Sequence, residues 1–371
     1  MSPVRVPAAV LEHARATTQT IAALSGADID ADEAIGGRAA LLGLSPAGRV
    51  SAGGATRLMD GPDGWCALTL SRPDDVGAVP ALLERDSVDG ELWPAIEGCV
   101  RDLGVTTFAE RARLLGLPVG VLGESNAAPM TVQTCAEAAP EVPIAGLLVA
   151  DLSSMWAGPL CARVLADAGA TVVKVESAAR PDGTRRGPAA FFDWISTGKL
   201  SYCVDFDDSA AVSRLLAAAD VVIESSRPAA LQRRGLGPSD VPARRGRIWV
   251  RITGHGTDGE RADWVAFGDD AAVAGGLVAG SVDAPQFCGD AIADPLTGLH
   301  AARAVLESRG RGGGELIEVS MSAVAAEYAR LDRRAERDCT ATPVIAAPAA
   351  PLGADNGLVD RMVSERLVAS C

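Results

Sequence analysis

Short β-branched runs alternate with longer amphipathic stretches along the middle of the sequence. Four of these runs have the composition of buried strands, and they fall within residues 145–152, 171–176, 219–224 and 248–253. The stretch after the first run has helical spacing and is opened by Pro159. Strands that alternate with helices predict a parallel sheet that is covered by helices on both faces. We therefore predict an α/β fold, with a Rossmann-like parallel sheet in a large domain and a smaller α+β domain.

The ends of these strands indicate where a ligand would bind. Ligands of such sheets bind beyond the carboxyl ends of the strands, so the loops after Asp151, Glu176, Glu224 and Thr253 form the candidate site. We expect Asp151 and Glu176 themselves to be structural, as caps or ion-pair partners. The Gly-x-Gly-x-x-Gly fingerprint does not follow the first strand, which argues against a dinucleotide ligand.

The sequence divides into five segments by composition. Strand-like runs flank an Asp-Gly-Pro-Asp-Gly turn at 60–64, and helical patterns follow, which predicts a small domain ahead of the large one. A stretch rich in Ala, Pro and Glu between the two is typical of a linker. The predicted segments are an N-terminal helical segment (1–48), a small α+β domain (49–125), a linker (126–144), the large domain (145–330) and a C-terminal tail (331–371).

Charge and composition argue against several classes of function. A net charge of −14 disfavours nucleic acid as a partner. No apolar run reaches the roughly 18 residues of a membrane-spanning helix, and no signal-like segment opens the chain, so we expect a cytoplasmic protein without membrane contacts. The 8 cysteines show no metal-binding spacing and only 3 histidines are present, so we expect no metal site.

Asp294 opens a helical pattern and is followed by Pro295. An Asp before a Pro is typical of a helix start, with the carboxylate as the cap and the proline at the first helical position. The pattern continues to Gly310. A carboxylate at a helix N-terminus is expected to be stabilised in its charged form. Local pattern favours a simple cap, but such a carboxylate is also a nucleophile suited to a thioester.

Nine segments in a fixed order resemble the family III coenzyme A transferases, the group that includes formyl-CoA transferase, carnitine CoA-transferase and α-methylacyl-CoA racemase. The matching segments are distributed along most of the length of the predicted large domain. They are residues 151–159, 169–176, 182–185, 196–199, 219–228, 235–237, 252–256, 293–300 and 314–321.

The resemblance implies an acyl-CoA:carboxylate CoA-transferase with Asp294 as nucleophile. The carboxylate would attack a coenzyme A thioester and pass through aspartyl anhydride and aspartyl-CoA thioester intermediates, with backbone N–H groups stabilising the oxyanion. The family's Asp-x-x-Thr-Gly-x-His form is intact and includes His300. The resemblance implies acyl-CoA and a carboxylic acid as substrates, no permanently bound cofactor, no metal, and a homodimer.

The resemblance also implies where CoA is held. The first loop would contact the pantetheine arm, and basic residues on the other loops would contact the phosphates. For each basic residue, ordinary surface charge is an equal alternative. The candidate CoA contacts are Met155, Trp156, Ala157, Arg185, Lys199, Ser225, Arg227 and Arg233.

Three departures from the family keep other functions open. The small domain stands in front of the large one, where Gly53 and Gly54 would supply a glycine loop over the site or form a plain turn. The position of a racemase histidine is Phe267 or Gly268, although Asp269 or Asp270 could replace it. Trp156 replaces a common Gln, and Ser225-Ser226 replaces Asn-Phe. A racemase, or a non-catalytic subunit that binds acyl-CoA, therefore remains an alternative.

Overall fold

A computed structural model describes residues 3–369 of the chain. Its strands and helices are numbered separately along the chain. The strands are β1 (Val4–Pro7), β2 (Thr56–Gly61), β3 (Gly64–Thr69), β4 (Val119–Val121), β5 (Met130–Thr134), β6 (Leu148–Asp151), β7 (Thr171–Glu176), β8 (Leu200–Cys203), β9 (Val221–Glu224), β10 (Ile248–Thr253), β11 (Ala279–Ser281), β12 (Ala284–Gln286), β13 (Glu315–Ser320) and β14 (Glu336–Cys339). The helices are α1 (Ala8–Ser25), α2 (Ala31–Leu42), α3 (Pro73–Gly77), α4 (Val79–Leu82), α5 (Leu92–Leu103), α6 (Val105–Leu114), α7 (Ala157–Asp167), α8 (Ala189–Ser196), α9 (Ser209–Ala218), α10 (Pro228–Gln232), α11 (Gly268–Ala274), α12 (Ala293–Gly310), α13 (Met321–Ala329) and α14 (Asn356–Ala369).

A seven-stranded sheet with the order β5-β13-β10-β9-β6-β7-β8 forms the centre of the molecule. All neighbouring strands are parallel except β5, which runs antiparallel to β13. The four strands predicted from the sequence are β6, β7, β9 and β10, so the predicted α/β fold with a mainly parallel sheet is confirmed.

Both faces of the central strands are buried, which explains why apolar residues follow one another in β6, β7, β9 and β10 instead of alternating with polar ones. Val172 and Val221 belong to the core on one face, while the next residues, Val173 and Val222, belong to the core on the other. Helices α7 and α12 pack together on the first face, and α9 and α14 cover the second. Each fully buried valine or leucine contributes about 1.5–3 kcal/mol to the free energy of folding.

The order of the strands creates a switch point between β6 and β9. From β6 the chain proceeds outward through β7 and β8, and it then crosses to add β9, β10 and β13 on the other side. The loops at the carboxyl ends of β6 and β9 therefore leave the sheet in opposite directions and open a crevice between them. Ser154 on the first loop donates its backbone N–H to the Ser225 hydroxyl on the second, at 3.2 Å.

The stretch 126–144 is more than the linker that we expected, because it contains β5. This strand pairs with β13 at the edge of the sheet, and most of its side chains are exposed. This edge strand has no buried face, and its short Met-Thr-Val-Gln-Thr pattern did not stand out from the surrounding residues rich in Ala, Pro and Glu.

The segments on either side of the large sheet are joined to it. Strands β2, β3 and β4 form an antiparallel sheet with its own apolar cluster, which includes Phe108. The N-terminal segment that was predicted to be helical contains α1 and α2, and Leu11 and Ile21 of α1 pack in the main core. Strand β1 pairs with β14 and contributes Val4 and Val6 to the main core, while α14, near the other end of the described chain, packs in the core on the second face of the sheet.

Candidate active site

Asp294 is the second residue of α12, and its side chain is 9% exposed. The helix ends at Gly310 as predicted, but it begins at Ala293 with Ile292 as the cap. The expectation that Asp294 caps its own helix is therefore wrong. The backbone at Ala291 and Ile292 already turns, and the Asp294 N–H donates to the Ala291 carbonyl at 2.8 Å, so the carboxylate is left for partners outside α12.

Those partners are the first residues of two other helices. The backbone N–H groups of Ala157, which opens α7, and Gly268, which opens α11, lie close enough to the Asp294 carboxylate to favour its charged form. N–H groups at helix starts have no partner inside their own helix, so they are suited to hold a negative charge. The approach requires glycine at 268, because a Cβ there would lie 2.4 Å from Asp294 Oδ2 and 2.2 Å from the Ala291 carbonyl oxygen.

The glycine of the Thr-Gly pair after Asp294 sets the distance between α12 and α7. A Cβ at Gly298 would lie 2.7 Å from the Ala157 carbonyl oxygen and 2.9 Å from Leu160 Cβ. The two helices therefore pack with their backbones close together. This contact fixes the start of α7 against the start of α12, and thereby fixes the Ala157 N–H against Asp294.

Burial raises the pKa of Asp294 to about 7. The positive charge of Arg38 and the nearby backbone N–H groups of Ala157 and Gly268 act in the opposite direction, and the negative charge of Asp269 adds to the rise. The expectation that the helix terminus would favour the charged form is therefore not met, because desolvation outweighs the donors. At neutral pH the carboxylate is poised between its protonated and charged forms.

Two further aspartates lie near Asp294. Asp290 is fully buried and pairs with Arg38 at 2.5 Å through one oxygen, while its Oδ2 has no partner within residues 3–369. Asp269 accepts the Ala291 N–H at 3.0 Å and the Thr56 hydroxyl at 3.3 Å. Burial and the nearby Asp290 raise the pKa of Asp269 to about 6. One guanidinium thus faces three acidic groups.

Arg38 belongs to α2, far from Asp294 in sequence, and sequence reasoning did not find it. Its guanidinium carbon lies 5.7 Å from the centre of the Trp156 ring and 5.5 Å from that of Phe191. The available signal was the pair Gly36-Gly37 inside a helix, since interior glycines are costly and indicate close packing. A Cβ at Gly37 would lie 2.8 Å from the Trp194 ring. Helix α2 therefore packs closely against α8, which brings Arg38 near the acidic groups.

Buried ion pairs hold the loop that leads into α7. Lys199 pairs with Asp151 at 3.0 Å and donates to the Pro159 carbonyl at 2.8 Å. Lys174 pairs with Asp182 at 2.8 Å and donates to the Ser153 carbonyl at 2.5 Å. These are the only two lysines in the sequence, and both are buried. Their partners keep the loop in place ahead of Ala157.

Lys199 was expected to contact CoA, but the structure gives it this scaffolding position instead. Its side chain is 1% exposed and its ammonium is already held by a carboxylate and a carbonyl. Arg185 has a similar position. It forms a bidentate pair with Glu176, with the shortest distance 2.6 Å, and stacks on Phe192 at 4.1 Å. Neither cation is free to bind a phosphate in this arrangement.

The other expected CoA contacts differ in exposure. Arg227 and Arg233 are exposed and form no ion pair in the described part of the chain, so they remain available. Ser225 is half-buried at the crevice. Met155 is 36% exposed with a left-handed backbone at φ 73°, whereas Trp156 is 2% exposed and packs inside. Ala157 contributes its backbone N–H rather than a side chain.

The glycine loop expected at Gly53 and Gly54 lies beside Arg38. A Cβ at Gly53 would lie 3.3 Å from Arg38 Nη2, and Gly54 has a left-handed backbone at φ 75°. Ser51, in the same turn, lies near Asp269, and its hydroxyl favours the charged form of that carboxyl and so opposes the rise in its pKa. The loop from the smaller unit therefore covers the acidic groups of the larger one.

Asp270 is a helix cap rather than a second acid at the site. It accepts the Phe267 N–H at 3.0 Å and the Thr69 hydroxyl at 2.6 Å, and it is fully buried. Burial raises the pKa of Asp270 to about 8. Asp269 is thus the nearer candidate for acid–base chemistry beside Asp294.

His300 does not join the acidic group. Its Nε2 lies 3.1 Å from the Tyr328 hydroxyl, and its ring is stacked near that of His13. Burial lowers the pKa of His300 to about 3, so the ring is neutral. The histidine of the intact motif is therefore part of the packing between α12, α13 and α1.

The described residues contain neither a metal-binding cluster nor a membrane-spanning helix. Over residues 3–369, no group of three or more His, Cys, Asp and Glu side chains has an arrangement that could hold a metal ion. In the same range no helix combines the length and the apolar character needed to cross a membrane.

Comparison with known proteins places this site in a family. The chain is 30% identical over 200 residues to succinyl-CoA–D-citramalate CoA-transferase of Chloroflexus aurantiacus. The aligned region covers 49% of this chain and 50% of the relative. It is 33% identical over 205 residues to a probable fatty acyl-CoA transferase of Mycobacterium tuberculosis, which covers 50% of this chain and 52% of the relative. The chain thus spans about half the length of the curated relatives it matches.

The solved structures that are similar to this one include that of a CaiB/BaiF family protein from Brucella suis. The TM-score is 0.46 and the sequence identity is 32%, over 51% of this chain and 55% of that chain. Residues 144–336, just over half of the sequence, match the family described as CoA-transferase family III. This matched region contains Asp294, Asp269 and the first loop, but not Arg38. The chain belongs to CoA-transferase family III.

Proposed function

We propose that the protein is an acyl-CoA:carboxylate CoA-transferase in which Asp294 is the nucleophile. The observation that carries this proposal is the buried carboxylate of Asp294, which lies where the starts of α7, α11 and α12 converge and has its pKa raised to about 7. A carboxylate with a pKa near neutrality is substantially ionised at pH 7 and more basic than an ordinary one. The relatives with names of CoA-transferases support the same class of reaction.

The first half of the reaction loads CoA onto the protein. The Asp294 carboxylate attacks the thioester carbon of acyl-CoA, the C–S bond breaks, and a mixed anhydride forms as the CoA thiolate leaves. The thiolate then attacks the Asp294 carbonyl and releases the donor acid as a carboxylate. The N–H groups of Ala157 and Gly268 are placed to stabilise the negative charge that develops on the Asp294 oxygen.

The second half transfers CoA to another acid. An acceptor carboxylate attacks the aspartyl-CoA thioester, which gives a second anhydride and frees the thiolate. The thiolate attacks the acceptor's carbonyl carbon, and Asp294 leaves as a carboxylate. Covalent catalysis of this kind needs no metal or redox cofactor, since each step exchanges one acyl bond for another.

For the CoA substrate, we propose contacts at the crevice between the first loop and the loop after β9. Met155 and Ser225 would line the pantetheine arm, and Arg227 and Arg233 would bind phosphates, because they are exposed and unpaired in the described chain. We further propose that 49–125 and 145–330 act as small and large domains, and that the protein forms a homodimer.

A second candidate function is racemisation of an α-methylacyl-CoA. The observation that favours it is Asp269, whose pKa is raised to about 6 beside Asp294, because two carboxyls of similar pKa could remove and return an α-proton. In this case Asp294 would shuttle protons without forming an anhydride. Exchange of the α-hydrogen in deuterated water separates this reaction from CoA transfer.

The experiment incubates the full chain with a panel of acyl-CoAs and ¹³C-labelled carboxylic acids in deuterated water, and measures the new acyl-CoA by mass spectrometry. We expect labelled acyl-CoA from the wild type and from the surface control Asp332→Asn, and none from Asp294→Asn. Deuterium at the α-carbon without a labelled product would support the racemase instead. Binding of acyl-CoA with neither product would indicate a non-catalytic subunit.

A further inference from the structure

We propose that Arg38 binds the carboxylate of the acid that accepts CoA, and so places the acceptor beside Asp294. The inference rests on the proposed transferase function and adds to it the subsite for the second substrate. It assigns a substrate-binding role to α2, which lies outside the region that matches the family.

Arg38 has hydrogen-bonding capacity that the protein does not use. Its Nη1 donates to Asp290 at 2.5 Å, and within residues 3–369 the structure gives its guanidinium no second acceptor. A guanidinium carries five N–H donors and can hold a carboxylate through two parallel hydrogen bonds. The side chain is 24% exposed, so part of this group is open to a ligand.

The rest of the surroundings fix the orientation of Arg38. The rings of Trp156 and Phe191 lie within 6 Å of its guanidinium carbon, where aromatic rings attract a cation. Gly53 lies beside Nη2, and any larger residue would place a Cβ 3.3 Å from that nitrogen. A flat cation that is held at one end by Asp290, with glycine at Nη2, is a prepared site for a planar anion.

The charge at this site changes during the proposed reaction. Arg38 faces Asp269, Asp290 and Asp294, and its charge acts on all three carboxyls. When Asp294 becomes an aspartyl-CoA thioester it is neutral, so the group loses one negative charge. The attraction of Arg38 for an incoming carboxylate is therefore greatest after CoA has been loaded, which is when the acceptor is needed.

An acceptor carboxylate bound at Arg38 would also be well positioned to attack the aspartyl-CoA thioester. An acceptor oxygen must come within about 3–3.5 Å of the thioester carbon on Asp294, and holding it there replaces a bimolecular encounter with a local one. The names of two relatives contain succinate, glutarate, succinyl-CoA and malate, so some related enzymes act on small carboxylic acids. A small carboxylate is the class of ligand that we assign to Arg38.

The test measures carboxylate binding in the Asp294→Asn protein, whose amide imitates the neutral, loaded state. The probe is ¹³C-acetate, followed by NMR line broadening, with acetamide as the uncharged counterpart. Removing Arg38 alone would leave Asp290 unpaired in the interior, so Arg38→Met is combined with Asp290→Asn. A control variant in the same background is Arg163→Met, since Arg163 also pairs with a glutamate, at 3.1 Å, and stacks on a tryptophan, at 4.5 Å.

We expect Asp294→Asn to bind acetate but not acetamide, with affinity at least tenfold above that of the wild type at pH 8. The Arg38→Met/Asp290→Asn variant should lose at least tenfold of this affinity, and Arg163→Met should keep it. Unchanged acetate binding without Arg38, or no binding to Asp294→Asn, would overturn the proposal. This readout needs no turnover, so it remains decisive even if the transferase function fails.

A kinetic arm uses Arg38→Lys, which keeps the charge but not the planar fork. We expect KM for the acceptor acid to rise at least tenfold, while the rate at which acyl-CoA loads Asp294 changes less than threefold. If loading falls as much as acceptor use, then Arg38 only positions Asp294, and the acceptor subsite is not at Arg38.

Discussion

The guanidinium of Arg38 lies 2.5 Å from the carboxylate of Asp290, four residues before Asp294. This ion pair joins a helix outside the matched region to the segment that carries the proposed nucleophile. Because Asp290 is fully buried, the pair anchors α2 against the start of α12. The ionisation of Asp294 therefore depends on a residue that a comparison limited to the matched region would not include.

The loading step should depend on pH through Asp294. Attack on a thioester needs the charged carboxylate, and the pKa is raised to about 7, so the rate should rise with pH and level off above about 8. At pH 6 the rate should be roughly a tenth of the plateau, since one pH unit below the pKa leaves about a tenth ionised. Rapid-quench measurement of loading between pH 5 and 9 tests this. A flat profile would contradict the assignment.

Asp294→Asn should stabilise the fold at high pH. The folded pKa lies above the unfolded value near 4, so the stability associated with the protonated group is present below pH 4 and is lost as pH rises through 7. At pH 8 the amide avoids this loss, and we expect a gain of about 1–3 kcal/mol in the free energy of unfolding. Denaturant titrations at pH 5 and pH 8 measure it. A gain equal at both pH values would argue against an ionisation effect.

Gly268→Ala should disrupt the contact between the start of α11 and the Asp294 carboxylate. The new Cβ would clash with the Ala291 carbonyl and with Asp294 Oδ2, so the N–H of residue 268 must withdraw from the carboxylate. We expect a loss of on the order of 100-fold in kcat, as for removal of one oxyanion donor. The control is Gly98→Ala, a helical glycine with open space around it, which should leave the rate unchanged. Equal rates for both variants would show that the Gly268 contact does not matter.

Substitutions at Lys199 and Arg227 should have different effects, the first on stability and the second on binding of acyl-CoA. Lys199→Met leaves Asp151 as an unpaired buried charge, which we expect to cost about 3–5 kcal/mol of stability. Arg227→Ala removes an exposed cation, so stability should stay within about 0.5 kcal/mol while KM for acyl-CoA rises. Thermal melts and steady-state kinetics on both proteins separate scaffold from substrate contact. A stable Lys199→Met protein with weak CoA binding would reverse these roles.

Much of the fold follows from local patterns. The β-branched runs predicted β6, β7, β9 and β10, and the amphipathic stretch after Pro295 predicted α12 as far as Gly310. Strand β5 was missed because its edge position leaves no buried face. A buried strand or helix leaves a recognisable pattern of apolar residues in the sequence, whereas an exposed edge strand leaves a much weaker one.

The site was less accessible from sequence. The resemblance pointed to Asp294, but not to the N–H groups of Ala157 and Gly268, since those contacts arise only when α7 and α11 converge. Arg38 contacts Asp290 across 252 positions of the chain, which no local pattern encodes. Lys199 was predicted to bind phosphate because the sequence shows that it is a cation but does not show that it pairs with the buried Asp151.

The most direct test of the account is whether Asp294 becomes covalently loaded. The full chain is incubated with each acyl-CoA of the panel, treated with hydroxylamine, digested and analysed by peptide mass spectrometry. Hydroxylamine converts an aspartyl anhydride or thioester into a hydroxamate, so the modified residue is marked by its mass. Asp294→Asn and Asp332→Asn are treated in parallel.

We expect a hydroxamate on the peptide that contains Asp294, with at least one acyl-CoA, in the wild type and in Asp332→Asn but not in Asp294→Asn. The same donor should be the one that supports CoA transfer. A hydroxamate on another aspartate, or none with any donor despite measurable binding of CoA, would contradict nucleophilic catalysis by Asp294.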